Sequence, residues 1–199
     1  ASLFNGDPPA LPPICDTPRA SGLPGTGQTQ CYDSSGEPAP CDETECSGQD
    51  GFYGKGCSPE GRYSRDDRGT PEDTTDDTVT DNCTGLTWQG EVADLNGDGQ
   101  ATVEDRVPWC LALAYCENLT LAGHDDWRLP NVFELHSLVD YGRTFPQMDP
   151  VFGVNAGPCW SSTSSIPGLA WLVRFDTGGL SAFDKDDDSI FVRAVRSVR

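Results

Sequence analysis

The apolar pattern divides the chain in two. Up to about residue 60 there is no apolar periodicity, only Pro, Gly, Ser, Cys and acids. The stretch "GDPPALPPICDTP" (6–18) excludes a helix or a central strand, because proline fixes φ and lacks an N–H. It reads as an extended arm, in part polyproline II. From about residue 61 the pattern becomes regular. "RYSR" (62–65) and "TVTDN" (78–82) predict two short strands around an acidic hairpin tip at 66–77, and "CTGLTWQ" (83–89) continues as strand. "PWCLALAYCENL" (108–119) spaces apolar residues helically, with Pro108 suited to a first turn. "DWRLP" (126–130) predicts a short strand ended by Pro130. "NVFELHSLVDY" (131–141) predicts a second helix. Asn131 caps it, Glu134 completes a capping box, and Val132, Leu135, Leu138 and Val139 share an apolar face. "CWSSTS", "LAWLVRFD", "GLSAFD" and "IFVRAVRSV" predict strands separated by the turns "DTGG" and "DKDDD". The expected class is α+β: an arm over residues 1–60, then a domain at 61–199 with two helices on a small, twisted, mainly antiparallel sheet. Its first and last strands are expected side by side.

Charge narrows the partners. Thirteen Lys plus Arg against 32 Asp plus Glu give a net charge of −19. Such a surface repels nucleic acid and anionic membranes, argues against sulfated polysaccharides, and favours divalent cations. No apolar run approaches a membrane span. No signal peptide is present, so a secreted chain would be in its mature form. Asn82-Cys-Thr and Asn118-Leu-Thr match the glycosylation acceptor pattern. The tryptophans Trp88, Trp109, Trp127, Trp160 and Trp171 all fall inside predicted elements, which assigns them to the core rather than to a sugar-stacking surface.

The nine cysteines, at 15, 31, 41, 46, 57, 83, 110, 116 and 159, are irregularly spaced and contain no CxxC pair. His124 and His136 are the two imidazoles. This pattern fits disulfides in an oxidising compartment better than zinc. An odd count leaves one thiol free or paired with another chain, and the connectivity is open.

One stretch carries ligand chemistry. In "DLNGDGQATVED" (94–105), Asp94, Asn96 and Asp98 stand at alternate positions, and Gly99 follows where an EF-hand loop turns sharply. Gln100 offers its carbonyl, Thr102 a water-bridging position, and Asp105 closes the loop. Calcium wants six to eight oxygens, which this spacing supplies. Position twelve is Asp rather than Glu, and no entering helix precedes the loop, which resembles those of dockerin modules. A second acidic turn, Asp184 with Asp186, Asp187 and Asp188, is a solvated tip or a further calcium site. His124 with Asp125 and Asp126 reads as a turn before "WRLP". Ser161 and Ser162 lack a nucleophile-elbow context, and His136 lies beside an apolar stripe as a hydrogen-bonded, partly buried residue. No triad or carboxylate pair stands out, so the chain is expected not to be an enzyme. Arg128, Arg174, Arg193 and Arg196 are expected in internal ion pairs.

The blocks "LPGTGQTQCYDSSG", "TVTDNCTGLTW", "LALAYCENLTLAGHDDWRLPNVFELHSLVDYGR" and "CWSSTS" come in an order that resembles the Lcl C-terminal domain family, named after a Legionella collagen-like adhesin. The resemblance spans roughly residues 23 to 199. It implies a C-type-lectin-like fold and a secreted or surface-exposed, adhesion-linked bacterial protein. By the same resemblance, the calcium loop is an insertion, the tip at 66–77 is longer than usual, and Ala194 replaces a cysteine that bridges the one at Cys116. Cys116 then needs another partner, with Cys159 and Cys110 as candidates. The sugar-binding tripeptides of C-type lectins are absent. The expected function is a calcium-stabilised structural or adhesive subunit that self-associates, as in an extracellular fibre, with a glycan-binding adhesin as the alternative. Whether the arm packs on its own domain or on a neighbour's sheet edge is open.

Overall fold

A computed structural model describes residues 25–41, 49–50, 57, 60–153, 155 and 157–197. Residues 1–24, with the Pro-rich stretch and Cys15, lie outside the described residues, as does Cys46. The described chain is α+β, but its strands form three antiparallel sheets rather than one.

The first sheet is a two-residue hairpin, β1 (Cys31–Tyr32) and β2 (Pro38–Ala39), closed by the Cys31–Cys41 disulfide. A second disulfide, Cys57–Cys83, spans 26 residues. Closing a loop of that length removes about 3.5 kcal/mol of chain entropy from the unfolded state.

The second sheet contains β3 (Tyr63–Asp66), β4 (Thr78–Asp81), β5 (Leu86–Gln89) and β9 (Val195–Ser197), in the order β3-β4-β5-β9. The chain's last strand joins this sheet beside β5, at the edge opposite its first strand β3, so the expected pairing of first and last strands is not formed. Register alternation sorts the side chains. Val79, Trp88 and Val195 align and point into the core, while Ser64, Thr80, Thr87 and Arg196 align on the other face.

The third sheet is β6 (Pro158–Ser164), β7 (Leu169–Arg174) and β8 (Gly179–Asp184), in that order. Helix α1 (Trp109–Asn118) follows Pro108 and buries Ala112 and Cys116. Helix α2 (Val132–His136) has the expected capping box: the Asn131 side chain accepts from the Phe133 and Glu134 N–H groups, and Glu134 accepts from the Asn131 N–H. It is shorter than its apolar stripe predicts. After His136 the chain turns, and Val139 bridges to Met148, so Leu138 and Val139 enter the core from a turn.

Two cores result. One gathers Val79, Trp88, Leu135, Leu138, Phe152, Phe175 and Phe191 between the second and third sheets. The other places Ala112 and Cys116 of α1 with Trp127, Trp160, Leu172, Ile190 and Val192. Trp88 and Trp160 are fully buried, Trp127 nearly so, and Trp109 and Trp171 half-buried.

"IFVRAVRSV" is strand only at its end. Ile190 to Ala194 instead thread between the sheets. Their carbonyls and amides bond to a different element at nearly every step: Val107 to Ile190, Pro158 and Trp160 to Phe191, Ala93 to Val192, and Gln89 to Ala194. "DWRLP" likewise contributes one bridge, Arg128 to Val195, rather than a strand.

The three remaining cysteines with described positions are unpaired. Cys110 is exposed, Cys116 lies in the second core, and Cys159 in the first. The expected pairing of Cys116 with Cys110 or Cys159 is therefore corrected: separate cores hold Cys116 and Cys159, and Cys110 faces solvent.

Candidate functional site

The acidic loop leaves β5 through Gly90–Ala93 and enters α1 through a 3-10 turn at Val103–Asp105. Its conformation is set by aspartates that bond their own backbone. The Asp94 carboxylate accepts from the Gly97 and Gly99 N–H groups, both at 2.8 Å. The Asn96 side chain accepts from the Asp98 N–H, and Asp98 from the Gln100 N–H, both at 2.9 Å. Gly97 and Gly99 have φ of 76° and 82°, which side chains with a Cβ rarely adopt. Asp105 is fully buried. One of its oxygens accepts from Leu95 N–H at 2.8 Å and Asn96 N–H at 3.2 Å, and the other from Thr102 N–H at 2.7 Å. Position twelve thus locks back onto the start of the loop.

None of the nine ion pairs among the described residues involves Asp94, Asp98 or Asp105. A fully buried carboxylate without a cation is costly even when hydrogen-bonded. Amide N–H groups take one lone pair on each Asp94 oxygen and on one Asp98 oxygen, but two on one Asp105 oxygen. The free acceptor positions therefore lie mainly on Asp94 and Asp98 and on the other Asp105 oxygen; a hard cation takes oxygen ligands of this kind. Among the described residues, no three His, Cys, Asp or Glu side chains are gathered closely enough to hold a metal by themselves. The remaining oxygens in the proposed ligand set come from Asn96, the Gln100 carbonyl and Thr102.

The outward face of the second sheet holds a different feature. Thr78, Thr80 and Thr87 floor a groove of about 210 Å³, bounded by Asp66, Arg68, Ala122, His124, Trp127 and Arg196. The Thr80 and Thr87 hydroxyls lie 3.4 Å apart. Arg68 and Ala122 both have φ of 55°. Such left-handed residues cost roughly 1 kcal/mol or more each, and two of them line this one groove. The groove draws on residues from 66 to 196, which is why no local sequence motif announced it.

The other candidate residues are accounted for. Arg128 pairs with Glu134 at 2.7 Å, Arg174 with Asp176 at 2.8 Å, and Arg196 with Asp126 at 2.7 Å. Burial works to raise the Glu134 pKa, but hydrogen bonds from Arg128 and Asn131 outweigh it and hold the carboxyl below its usual value. Because Asp126 is taken by Arg196, His124, Asp125 and Asp126 are not gathered as a metal site. Arg193 is the exception to the ion-pair expectation. It is fully buried and donates to the carbonyls of Gln89 (2.8 Å), Gly90 and Phe152 (3.1 Å). Burial lowers its pKa, and the nearby Cys159 and Glu91 oppose that. The Cys159 thiol is itself pushed up to about 11 by burial, with Arg193 countering.

Ser161 and Ser162 donate to the Trp171 and Pro130 carbonyls. His136 is half-buried, and its Nε2 meets the Tyr141 hydroxyl at 3.0 Å, as its place on the helix suggested. In the turn at 184–188, Asp184 accepts from the Asp186 N–H and Asp187 from the Ser189 N–H and hydroxyl. That turn is self-capped.

No curated protein matches the sequence. The family model described as the Lcl C-terminal domain matches residues 77–196, a span from the start of β4 to β9 that includes the acidic loop, both helices and the third sheet. The match is narrower than the resemblance read from the motifs, since it begins after the acidic tip. The two disulfides fit an oxidising location, and among the described residues no helix is long and apolar enough to cross a membrane. With more than half of its length matched, the chain belongs to the Lcl C-terminal domain family and is an adhesin-like bacterial protein.

Proposed function

We propose that this chain is a secreted, non-enzymatic surface subunit with a C-type-lectin-like fold, stabilised by calcium and built to associate with further copies of itself, as in an extracellular fibre. Charge carries this reading. Residues 1–24 hold two Asp and one Arg, a net −1, so residues 25–199 carry the other −18 of the −19 total. Two such bodies repel one another. A cation bound at Asp94, Asn96, Asp98, Gln100, Thr102 and Asp105 lowers that repulsion and neutralises the buried Asp105. The near-neutral, Pro-rich segment is the part of the chain that meets another copy at the smallest electrostatic cost.

The test is particle size by light scattering and negative-stain microscopy. The full chain and a chain starting at residue 21 are each measured with calcium and with chelator. Large particles that need both calcium and residues 1–20 are expected. A monomer of the same size in all four conditions would rule the reading out.

The hydroxyl-floored groove favours a second reading, a glycan-binding adhesin. Its threonines, Arg68, His124, Arg196 and Asp66 offer donors and acceptors to a polyhydroxylated ligand. Sugar binding by residues 61–199 alone, abolished by Thr80→Val, would select this reading over assembly.

A further inference from the structure

Resting on the self-association reading, we propose that the run Ala1–Asp7 of one copy pairs, as an added strand, with the free edge of β8 in another copy. The edges of the sheets differ. The outer side of β6 is closed by backbone bonds between Phe191 and both Pro158 and Trp160, and by Ser162 to Pro130. β9 is closed by Arg128, whose N–H and carbonyl both bond Val195. β3 is open but blunted by the charged Arg65 and Asp66. β8 lies last in its sheet, and no backbone hydrogen bond other than those to β7 reaches Gly179–Phe183 among the described residues. Five residues of that edge, Gly179, Leu180, Ser181, Ala182 and Phe183, contain neither proline nor charge. An edge left in this state is a template for a further strand.

The face beside that edge is apolar. Ala182 pairs with Trp171, and Leu180 follows two residues away on the same side of the sheet, 43% exposed. Trp171 and Ala182 are half-buried. An incoming strand with apolar side chains covers this strip.

The sequence names the occupant. A pairing strand must offer N–H groups, and the longest proline-free run within residues 1–24 is "ASLFNGD", which also carries Leu3 and Phe4. Six prolines fall in residues 8–24, a composition that favours extended polyproline II in this spacer. In an extended form it holds the run about 50 Å from residue 25. The root of the arm lies beside its own β8: the Tyr141 N–H donates to the Thr26 carbonyl at 2.7 Å, and the Tyr141 hydroxyl donates at 2.9 Å to Gly178, which precedes β8. A proline-rich spacer rooted beside the domain's own β8 favours reach to another copy's β8 over a return to its own. The contact is head-to-tail, which makes a ring or a filament.

The experiment is light scattering in calcium on the full chain, on a chain lacking residues 1–7, and on full-length Leu180→Glu. The full chain forms large particles. Each altered chain stays monomeric, its association weakened at least about tenfold. Equal amounts of the two altered chains form a heterodimer and nothing larger, because one supplies an intact edge and the other an intact donor. Leu180 is exposed enough for the variant to fold, and a synthetic Ala1–Asp7 peptide that dissolves wild-type particles gives the same answer without a substitution. Particles that survive both changes and the peptide would overturn the β8 assignment while self-association stands. A monomeric full chain, with added peptide binding only when residues 1–7 are missing, would overturn both and make the arm an intramolecular strap.

Discussion

Asp105 and Arg193 are both fully buried charges without an ion-pair partner, and they occupy opposite situations. Arg62 and Asp81 pair with each other, and Asp77 pairs with Arg65, so among the described residues these two are the exceptions. Each is held by backbone groups: three N–H groups converge on Asp105 and three carbonyls on Arg193. The surroundings separate them. Arg193 sits inside the protein, over the Phe152 ring at 5.2 Å and near Cys159 and Glu91. Carbonyl dipoles compensate its charge, and its task is to tie Gln89 and Gly90 to Phe152. Asp105 sits at the foot of a surface loop with two further carboxylates outside any ion pair, Asp94 and Asp98. Its surroundings add negative charge rather than removing it. Three carbonyls answer the Arg193 guanidinium at Nη1 and Nη2 and leave only its Nε without a partner. The charge of Asp105 is instead answered by N–H groups alone, in a loop that adds further carboxylates, and we rest the calcium proposal on that difference.

Breaking the Arg193 side has the largest expected effect. Arg193→Ala strands three carbonyls and leaves a cavity, so it is expected to cost about 3–5 kcal/mol in urea unfolding, equally with calcium and with chelator. Calcium itself comes next. At a concentration about 100 times its dissociation constant it is expected to stabilise the wild type by about 2.7 kcal/mol in the same urea unfolding. Asp98→Ala, at an exposed position, weakens that gain. Asp105→Asn removes it and costs about 1–3 kcal/mol without calcium, because an amide cannot accept all three N–H groups.

A smaller, pH-dependent effect sharpens the contrast with an ordinary ion pair. The Glu134 carboxyl is held below its usual pKa, so its contribution is full above the normal carboxylate range and is lost as pH falls through the lowered value. Both partners are partly exposed, which keeps the effect below about 1 kcal/mol. Glu134→Gln should flatten the acid limb of the stability profile. The smallest effect is expected in the other acidic segment. The exposed Asp73 carboxylate accepts only from Thr75 in its own turn, so Asp73→Asn should leave both the melting temperature and the calcium response unchanged.

These contrasts mark what the sequence could and could not convey. Local chemistry was legible: the Asn131–Glu134 box, the acidic hairpin tip and the alternating loop oxygens each depend on neighbours a few residues apart. The acidic loop's backbone bonds were implicit in its Asp-x-Asn-x-Asp-Gly spacing. The run at 190–194 was misjudged because burial on both faces looks like strand propensity, although its partners change at nearly every residue. Arg193 was expected in an ion pair because sequence does not distinguish a carboxylate from converging carbonyls. The groove was invisible because Ala122 and Arg196 meet the Thr80–Thr87 pair only after the last strand docks beside β5.

The most direct measurement is calorimetric calcium titration of the full chain, with a thermal melt of each sample, on the wild type, Asp105→Asn and Arg193→Ala. Calcium should bind the wild type and raise its melting temperature, bind Arg193→Ala at a temperature where that variant is folded, and leave Asp105→Asn unchanged. A calcium response in Asp105→Asn equal to that of the wild type, or no calcium binding by the wild type, would contradict the assignment of Asp105 as a buried charge completed by a cation.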